Sequence, residues 1–451
     1  MRGWVRRTSE LHDELAAIAD VPASWWLVAG GAAAVEPMRP RAQYVISDAA
    51  PAADTFMATR SAAPDDPIRD AIARAYAARA AIRALDGKLP DQPLAVTIRR
   101  ANGSGARTVP STLDVAAFAF GDRVIAARLD ADDRALAQRI AAGASEPDLP
   151  APFVCVSIGD EPLATARHGH RRAWQDGAGP WLGLSRSGDL SVVSTCHLAV
   201  DGYGHAWLTS RIAEEHAPHY ARAPHGLVIA CPPLPITGEA IPLGIAWRRL
   251  HAPGPRALPL AYALGRVLHR AAGDPEARFS PTFQIPVARG PKSDPLRARR
   301  RVAPSLLSLR FFRGRPEPYE AFEARAKVVL AREAAGHGLI ARLLSAAEAA
   351  PLSLAWKRAA LSTGRPKWLE RMAEVLGGRA CLSRIRVDFP LAPTCAVSSP
   401  ALLASDDDPL GACVVTVIDD GAAAAITVCG SGLAGTDARA EALIDELIEL
   451  L

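Results

Sequence analysis

The stretch Thr195-Cys196-His197-Leu198-Ala199-Val200-Asp201-Gly202-Tyr203 holds the residue types and spacing that could carry proton-transfer chemistry. The imidazole of His197 titrates near neutrality. It can therefore take a proton from a thiol, hydroxyl or amine as that group attacks a carbonyl. Asp201, four residues on, can fold back within the same turn and fix the loop through an ion pair with an arginine. Gly202 allows a backbone conformation that a side chain would oppose. The same residues also admit a plainer reading, a buried hydrogen-bonded histidine followed by an Asp-Gly turn.

The elements around the motif have clear signals. Ser187-Gly188-Asp189 is a turn, Leu190–Cys196 an apolar strand, and 204–220 a helix. The histidine thus sits in a loop between a strand and a helix. Upstream, helices are expected over 9–20, 67–86 and 131–142, and strands over 94–99, 114–120, 123–129, 154–158 and 182–184. Asp65-Asp66-Pro67 caps the second helix with acidic residues and a first-turn proline. Residues 36–64 are turn-rich and show no clear period. Residues 221–256 are rich in proline and glycine and read as a crossover. Beyond it, helices are expected over 256–271, 317–335, 338–349, 366–376 and 436–450, with apolar stretches over 282–288, 305–312, 384–389, 411–418 and 422–429. The class is α/β or α+β. The expected division is an N-terminal lobe over 1–221 carrying the motif, a linker over 222–255 and a C-terminal lobe over 256–451.

One long-range similarity links the two lobes. Ser191–His197 precedes a loop ending in Gly202, and Ala424–Gly430 precedes a loop ending in Gly435. Cys196 aligns with Cys429, but Gly430 stands in place of His197 and Ala434 in place of Asp201. This reads as a duplicated strand–loop–helix unit of which one copy keeps the motif; the other reading is coincidence between two alanine-rich units.

An HxxxDG string after a strand and before a helix resembles the signature of the CoA-dependent acyltransferase superfamily, whose fold is that of chloramphenicol acetyltransferase. The group includes dihydrolipoamide acyltransferases and the condensation domains of peptide synthetases. The stretch Phe153–Ala213 looks like the catalytic end of the former, without a lipoyl-domain signature. The resemblance implies two lobes, each a mixed sheet with helices, and a channel between them. It makes His197 the general base and Asp201 a structural partner. Arg384 and Arg386 are candidate partners for Asp201, and Ser398 and Ser399, in the stretch Asp388–Ser399, are candidate donors to a developing oxyanion. Within that stretch Asp388-Phe389 is similar to a DFG-type element of some relatives, with Pro390 in place of the glycine. Where the family usually has His, Asn or Ser before the catalytic histidine, this chain has Cys196, read as a small core residue. The implied function is an acyltransferase of bacterial type, taking its acyl group from a CoA or phosphopantetheine thioester. That thioester would be a co-substrate, with no permanently bound cofactor. An acyl carrier protein is a candidate partner, and a homo-oligomer is compatible with the fold. The non-enzymatic alternative is a scaffold or partner-binding subunit.

Other groups carry weaker signals. His168-Gly169-His170-Arg171-Arg172 alternates histidines, but no cysteine or paired carboxylate adjoins it, so a solvated loop is preferred to a metal site. Its arginines and the run Arg297–Arg301 could meet phosphates or an acidic partner. Gly30-Gly31 lacks a GxGxxG context, and Ser187 and Ser194 lack GxSxG. His205 either lines the motif's surroundings or sits on the exposed side of its helix; Trp207 and Leu208 read as core.

Composition closes off several classes. A hydrophobic fraction of 49% over 451 residues supports a large core, and 22% charged residues argues against disorder. A net charge of +4 gives no general nucleic-acid footprint. Seven cysteines without CxxC spacing argue against a disulfide framework and for a reducing cytoplasm. Arginines near Met1 are followed by Thr8-Ser9-Glu10, which argues against a signal peptide, and the run Trp25–Val35 is too short to span a bilayer.

Overall fold

The computed structural model describes residues 43–47, 54–60, 65–84, 95–99, 106–120, 123–129, 132–158, 182–187, 190–196, 202–227, 244–273, 281–289, 301–335, 337, 380–390, 394–397, 413–430 and 432–451. The expected helices over 9–20, 338–349 and 366–376 lie outside them. The chain divides into two compact units, one formed by Pro40–Ile241 with Phe389–Thr394, the other by Pro242–Asp388 and Cys395–Leu451 together with the N-terminal 39 residues.

The first unit contains β1 (Gln43–Ser47), β2 (Asp54–Arg60), α1 (Pro67–Ala84), β3 (Ala95–Arg99), β4 (Ala106–Phe120), β5 (Arg123–Arg128), α2 (Asp133–Ala142), β6 (Ala151–Ile158), β7 (Leu182–Ser187), β8 (Leu190–Cys196) and α3 (Gly202–Arg222). Its mixed sheet runs β1-β3-β4-β6-β7-β8-β2, with β5 on β4; a further short strand, β15, is Thr394–Val397. Phe118, Phe120, Val154, Val156, Leu182 and Leu184 are buried. Helix α1 packs on α3 and β6. Half of its buried positions are alanines, which let the two helices approach closely. Helix α2 starts where Asp132 accepts hydrogen bonds from the amides of Arg134 and Ala135, and ends on Gly143 at φ 67°.

The second unit contains β9 (Gly244–Leu250), α4 (Ala257–Ala271), β10 (Thr282–Arg289), β11 (Arg301–Ser308), the short hairpin β12 (Phe311–Phe312) and β13 (Arg315–Pro316), α5 (Tyr319–Ala334), β14 (Ala380–Arg386), β16 (Cys413–Asp419), β17 (Ala424–Gly430) and α6 (Asp437–Glu449). Its sheet runs β11-β10-β14-β16-β17-β9. Leu260, Leu264, Phe283, Leu307, Phe322, Val415, Ile426 and Ile444 belong to one core cluster. A β-carbon on Gly265 would come within 2.6 Å of Leu309 Cδ2 and 2.9 Å of Phe283 Cζ, so glycine lets α4 sit down on the sheet.

The two units repeat one topology. In each, an outer strand (β2 or β9) leads into a helix (α1 or α4) and then an inner strand (β4 or β10) with an antiparallel neighbour (β5 or β11). A helix follows (α2 or α5), then a strand parallel to the inner one (β6 or β14) and a second parallel strand (β7 or β16). That strand turns back antiparallel into β8 or β17, which pairs antiparallel with the outer strand and leads to α3 or α6. The expected architecture, mixed sheets with helices in two lobes, is the one observed. Two stretches carry strands that their local sequence does not signal. The proline-rich stretch expected as linker contributes β9, whose amides and carbonyls complete the second sheet beside β17. The turn-rich stretch before Pro64 contributes β1 and β2, and β2 lies beside β8.

Candidate functional site

The motif loop is delimited on both sides. Strand β8 runs to Cys196, which pairs with Asp54 of β2, and α3 begins at Gly202. His197 and Asp201 fall in the five-residue connection between them, outside the described residues. The β7–β8 ladder closes on the pair Ser187 and Leu190, and this pairing fixes the register of β8; the expected Gly188-Asp189 turn lies outside the described residues.

The helix after the motif is well buried at its start. His205 is 1% exposed, which removes the reading in which it faces solvent. Leu208 is fully buried and Trp207 partly so, in line with core packing. Tyr203, directly after the motif glycine, meets Phe389 edge-on at 5.8 Å between ring centroids. Tyr203 and Phe389 both belong to the first unit, so this contact lies within it. Asp388 itself is exposed. Ser398 and Ser399 follow β15 and lie outside the described residues.

Deeper in the same unit lies a charged group that sequence reading missed. Asp70 of α1 is fully buried. Its carboxylate accepts hydrogen bonds from Arg74 Nε at 2.6 Å and His216 Nε2 at 2.8 Å. Arg74 Nη2 also donates to Ser191 Oγ of β8 at 2.9 Å, and Arg186 of β7 approaches the same hydroxyl at 3.3 Å. Burial pushes the Asp70 carboxyl up, but the His216 hydrogen bond and the Arg74 charge outweigh it and hold the group below its ordinary value. The network ties α1 to α3 and to the first residues of β8, the two elements that flank the motif. The available signal was an i,i+4 Asp–Arg pair on an alanine-rich apolar helix.

In the second unit, Arg384 pairs with Asp419 of the neighbouring strand β16, which is 2% exposed and also accepts the Gly421 amide at 2.8 Å. The described carboxylate partner of Arg384 is thus Asp419. Arg386 is exposed at the end of β14.

The loop that matches the motif in the second unit is closed by backbone. A β-carbon on Gly244 would overlap the carbonyl oxygens of Ala434 and Thr436. The Ile245 amide donates to Asp437 at 2.9 Å, and Thr436 caps α6 by accepting from the Arg439 amide at 3.3 Å. Gly430, in the place of His197, is buried.

Among the described residues no group of three or more His, Cys, Asp or Glu side chains could hold a metal ion. His168, His170, Arg171, Arg172, Gly30 and Gly31 lie outside them, as does Arg297–Arg300; Arg301 opens β11. Cys155, Cys381 and Cys413 are buried thiols pushed up to about 12 by desolvation. No described helix is long and apolar enough to cross a membrane.

No family model matches the chain, and no curated protein matches it. Among solved structures, the chain is similar to the starter condensation domain of rhizomide synthetase, with 14% identity over 89% of this chain and 91% of that chain and a TM-score of 0.40. It is similar to the first condensation domain of the CDA synthetase, with 13% identity over 89% and 90% and a TM-score of 0.41. It is also similar to polyketide synthase associated protein 5 from Mycobacterium tuberculosis, with 12% identity over 87% and 93% and a TM-score of 0.41.

Proposed function

We propose that the protein is an acyltransferase in which His197 acts as general base on a thioester donor. The observation that carries this reading is an asymmetry between two like units. Both place a loop between the last antiparallel strand and the following helix. One loop carries histidine and aspartate at the positions where the other has Gly430 and Ala434, and the other is closed by its own backbone. A titratable group kept in only one copy of a repeated element is placed for chemistry rather than for the fold.

In this mechanism His197 takes the proton from a hydroxyl, amine or thiol acceptor as the acceptor attacks the thioester carbonyl. The tetrahedral oxyanion then collapses, the acyl bond to the acceptor forms and the donor thiolate leaves, taking up the proton held on His197. Asp201 holds the loop, and Ser398 and Ser399 are the candidate oxyanion donors. The thioester is a co-substrate, acyl-CoA or an acyl group on a carrier protein's phosphopantetheine arm.

The test is thiol release from a panel of acyl-CoAs, acetyl to long-chain, with and without candidate acceptors. His197→Ala is expected to lower release by about 10²- to 10⁴-fold with its folding unchanged. Release unaffected by that substitution, or absent from every CoA- and carrier-bound donor, would favour a scaffold and sink the acyltransferase.

A further inference from the structure

The β12–β13 hairpin of the second unit shows an outward face with no use in the proposed chemistry. Phe311 pairs with Pro316 and Phe312 with Arg315. Neighbouring strand residues point to opposite faces, so Phe311 and Phe312 separate. Phe311 goes inward and stacks on His269, with centroids 3.8 Å apart and planes at 9°. Phe312 goes outward and is 59% exposed. Arg315 is its cross-strand neighbour, Arg310 lies two residues before it, and Arg313 occupies the turn; all three arginines are exposed.

The hairpin is held rigidly, so this exposure is not fraying. Arg313 and Gly314 sit at φ 50° and 75°, both left-handed, as a tight two-residue hairpin turn requires. At the neck, the Glu317 amide donates to the Arg310 carbonyl at 2.8 Å, and the Arg310 amide donates to the Glu317 carboxylate at 3.1 Å. The Tyr262 hydroxyl donates to the Glu317 carbonyl at 2.8 Å. Glu317, the carboxylate nearest in sequence, is engaged by Arg325. Among the described residues no carboxylate pairs with Arg310, Arg313 or Arg315.

We propose that this face docks on an anionic lipid surface. A convex hairpin with one projecting ring needs no matching pocket in a bilayer interface, where an aromatic ring settles at headgroup depth. Three unpaired guanidiniums on the same short element supply attraction to acidic headgroups. A protein partner would have to offer both a hole for the ring and an acidic rim.

The test is co-sedimentation of the full chain with phosphatidylcholine vesicles, alone and with about one third phosphatidylglycerol, in low and high salt. Binding is expected only to the anionic vesicles and only in low salt. Phe312→Ser and Arg315→Glu are each expected to weaken it about five- to tenfold. Arg313→Asn keeps a residue that tolerates the left-handed turn, and is expected to weaken binding about fivefold with the fold intact by circular dichroism. No binding, equal binding to neutral vesicles, or binding insensitive to all three substitutions would overturn the proposal. So would substitution-sensitive binding to an acidic carrier protein in place of vesicles.

Discussion

His216 Nε2 donates to Asp70 Oδ1 at 2.8 Å across 146 residues of chain, and it does so against a carboxylate with no solvent exposure. Arg74 completes the arrangement from the next turn of α1. A buried carboxylate is tolerable only when its oxygens are met by donors and its charge by a cation. Here the donors come from two helices, so the pair also fixes how α1 and α3 sit together.

Asp70→Asn should therefore destabilise the first unit by about 3 kcal/mol, because Arg74 remains buried without its carboxylate. The dependence on pH follows from the depressed folded value of Asp70. Its contribution is fully present above the unfolded value of about 4 and is lost as pH falls through the lower folded value. Thermal melts of wild type and variant should differ most near neutrality and converge in acid. A gap that does not shrink as pH falls below the unfolded value of about 4 would contradict this assignment.

Gly244→Ala should be among the most costly single-methyl additions at the described glycines. The added carbon meets two backbone carbonyl oxygens, which cannot swing aside as a side chain would. A loss above about 2 kcal/mol in urea unfolding is expected. Gly265→Ala meets only the side chains of Leu309 and Phe283, and should cost about 1–3 kcal/mol.

Arg384→Ala separates two roles for that arginine. It leaves the buried Asp419 with the Gly421 amide but no cation, and a loss of about 3 kcal/mol is expected from calorimetry or chemical unfolding. If thioester turnover falls more than the loss of folded protein explains, Arg384 also serves the motif loop. If the two fall together, its role is confined to Asp419.

The buried cysteines should stay silent toward thiol reagents. Cys155, Cys381 and Cys413 are held as neutral thiols at about 12, and Cys429 is buried with them. The thiolate is the reactive form. A disulfide reagent should label these four only after unfolding, detected by peptide mapping. Labelling of any of them at native rates would contradict their burial.

Much of this architecture is legible in the residues themselves. The apolar runs of β6, β8, β16 and β17, the capped start of α1 and the helices α2 and α6 follow from period, caps and turn dipeptides, which act within a few residues. The same local signals place the histidine motif between a strand and a helix, and they align Cys196 with Cys429 in two like strand–loop–helix units. Tertiary structure decided what depends on distant partners. Asp54–Arg60 has little strand pattern of its own, and becomes a strand because β8 offers it a full row of backbone partners. Gly244–Leu250 emerges from a proline-rich stretch for the same reason beside β17. Arg384 meets Asp419, and Asp70 meets His216, because strand register and helix packing bring together residues that no local spacing relates. Backbone propensity is a short-range property, whereas hydrogen-bond satisfaction of a buried group is settled only when the whole unit closes around it.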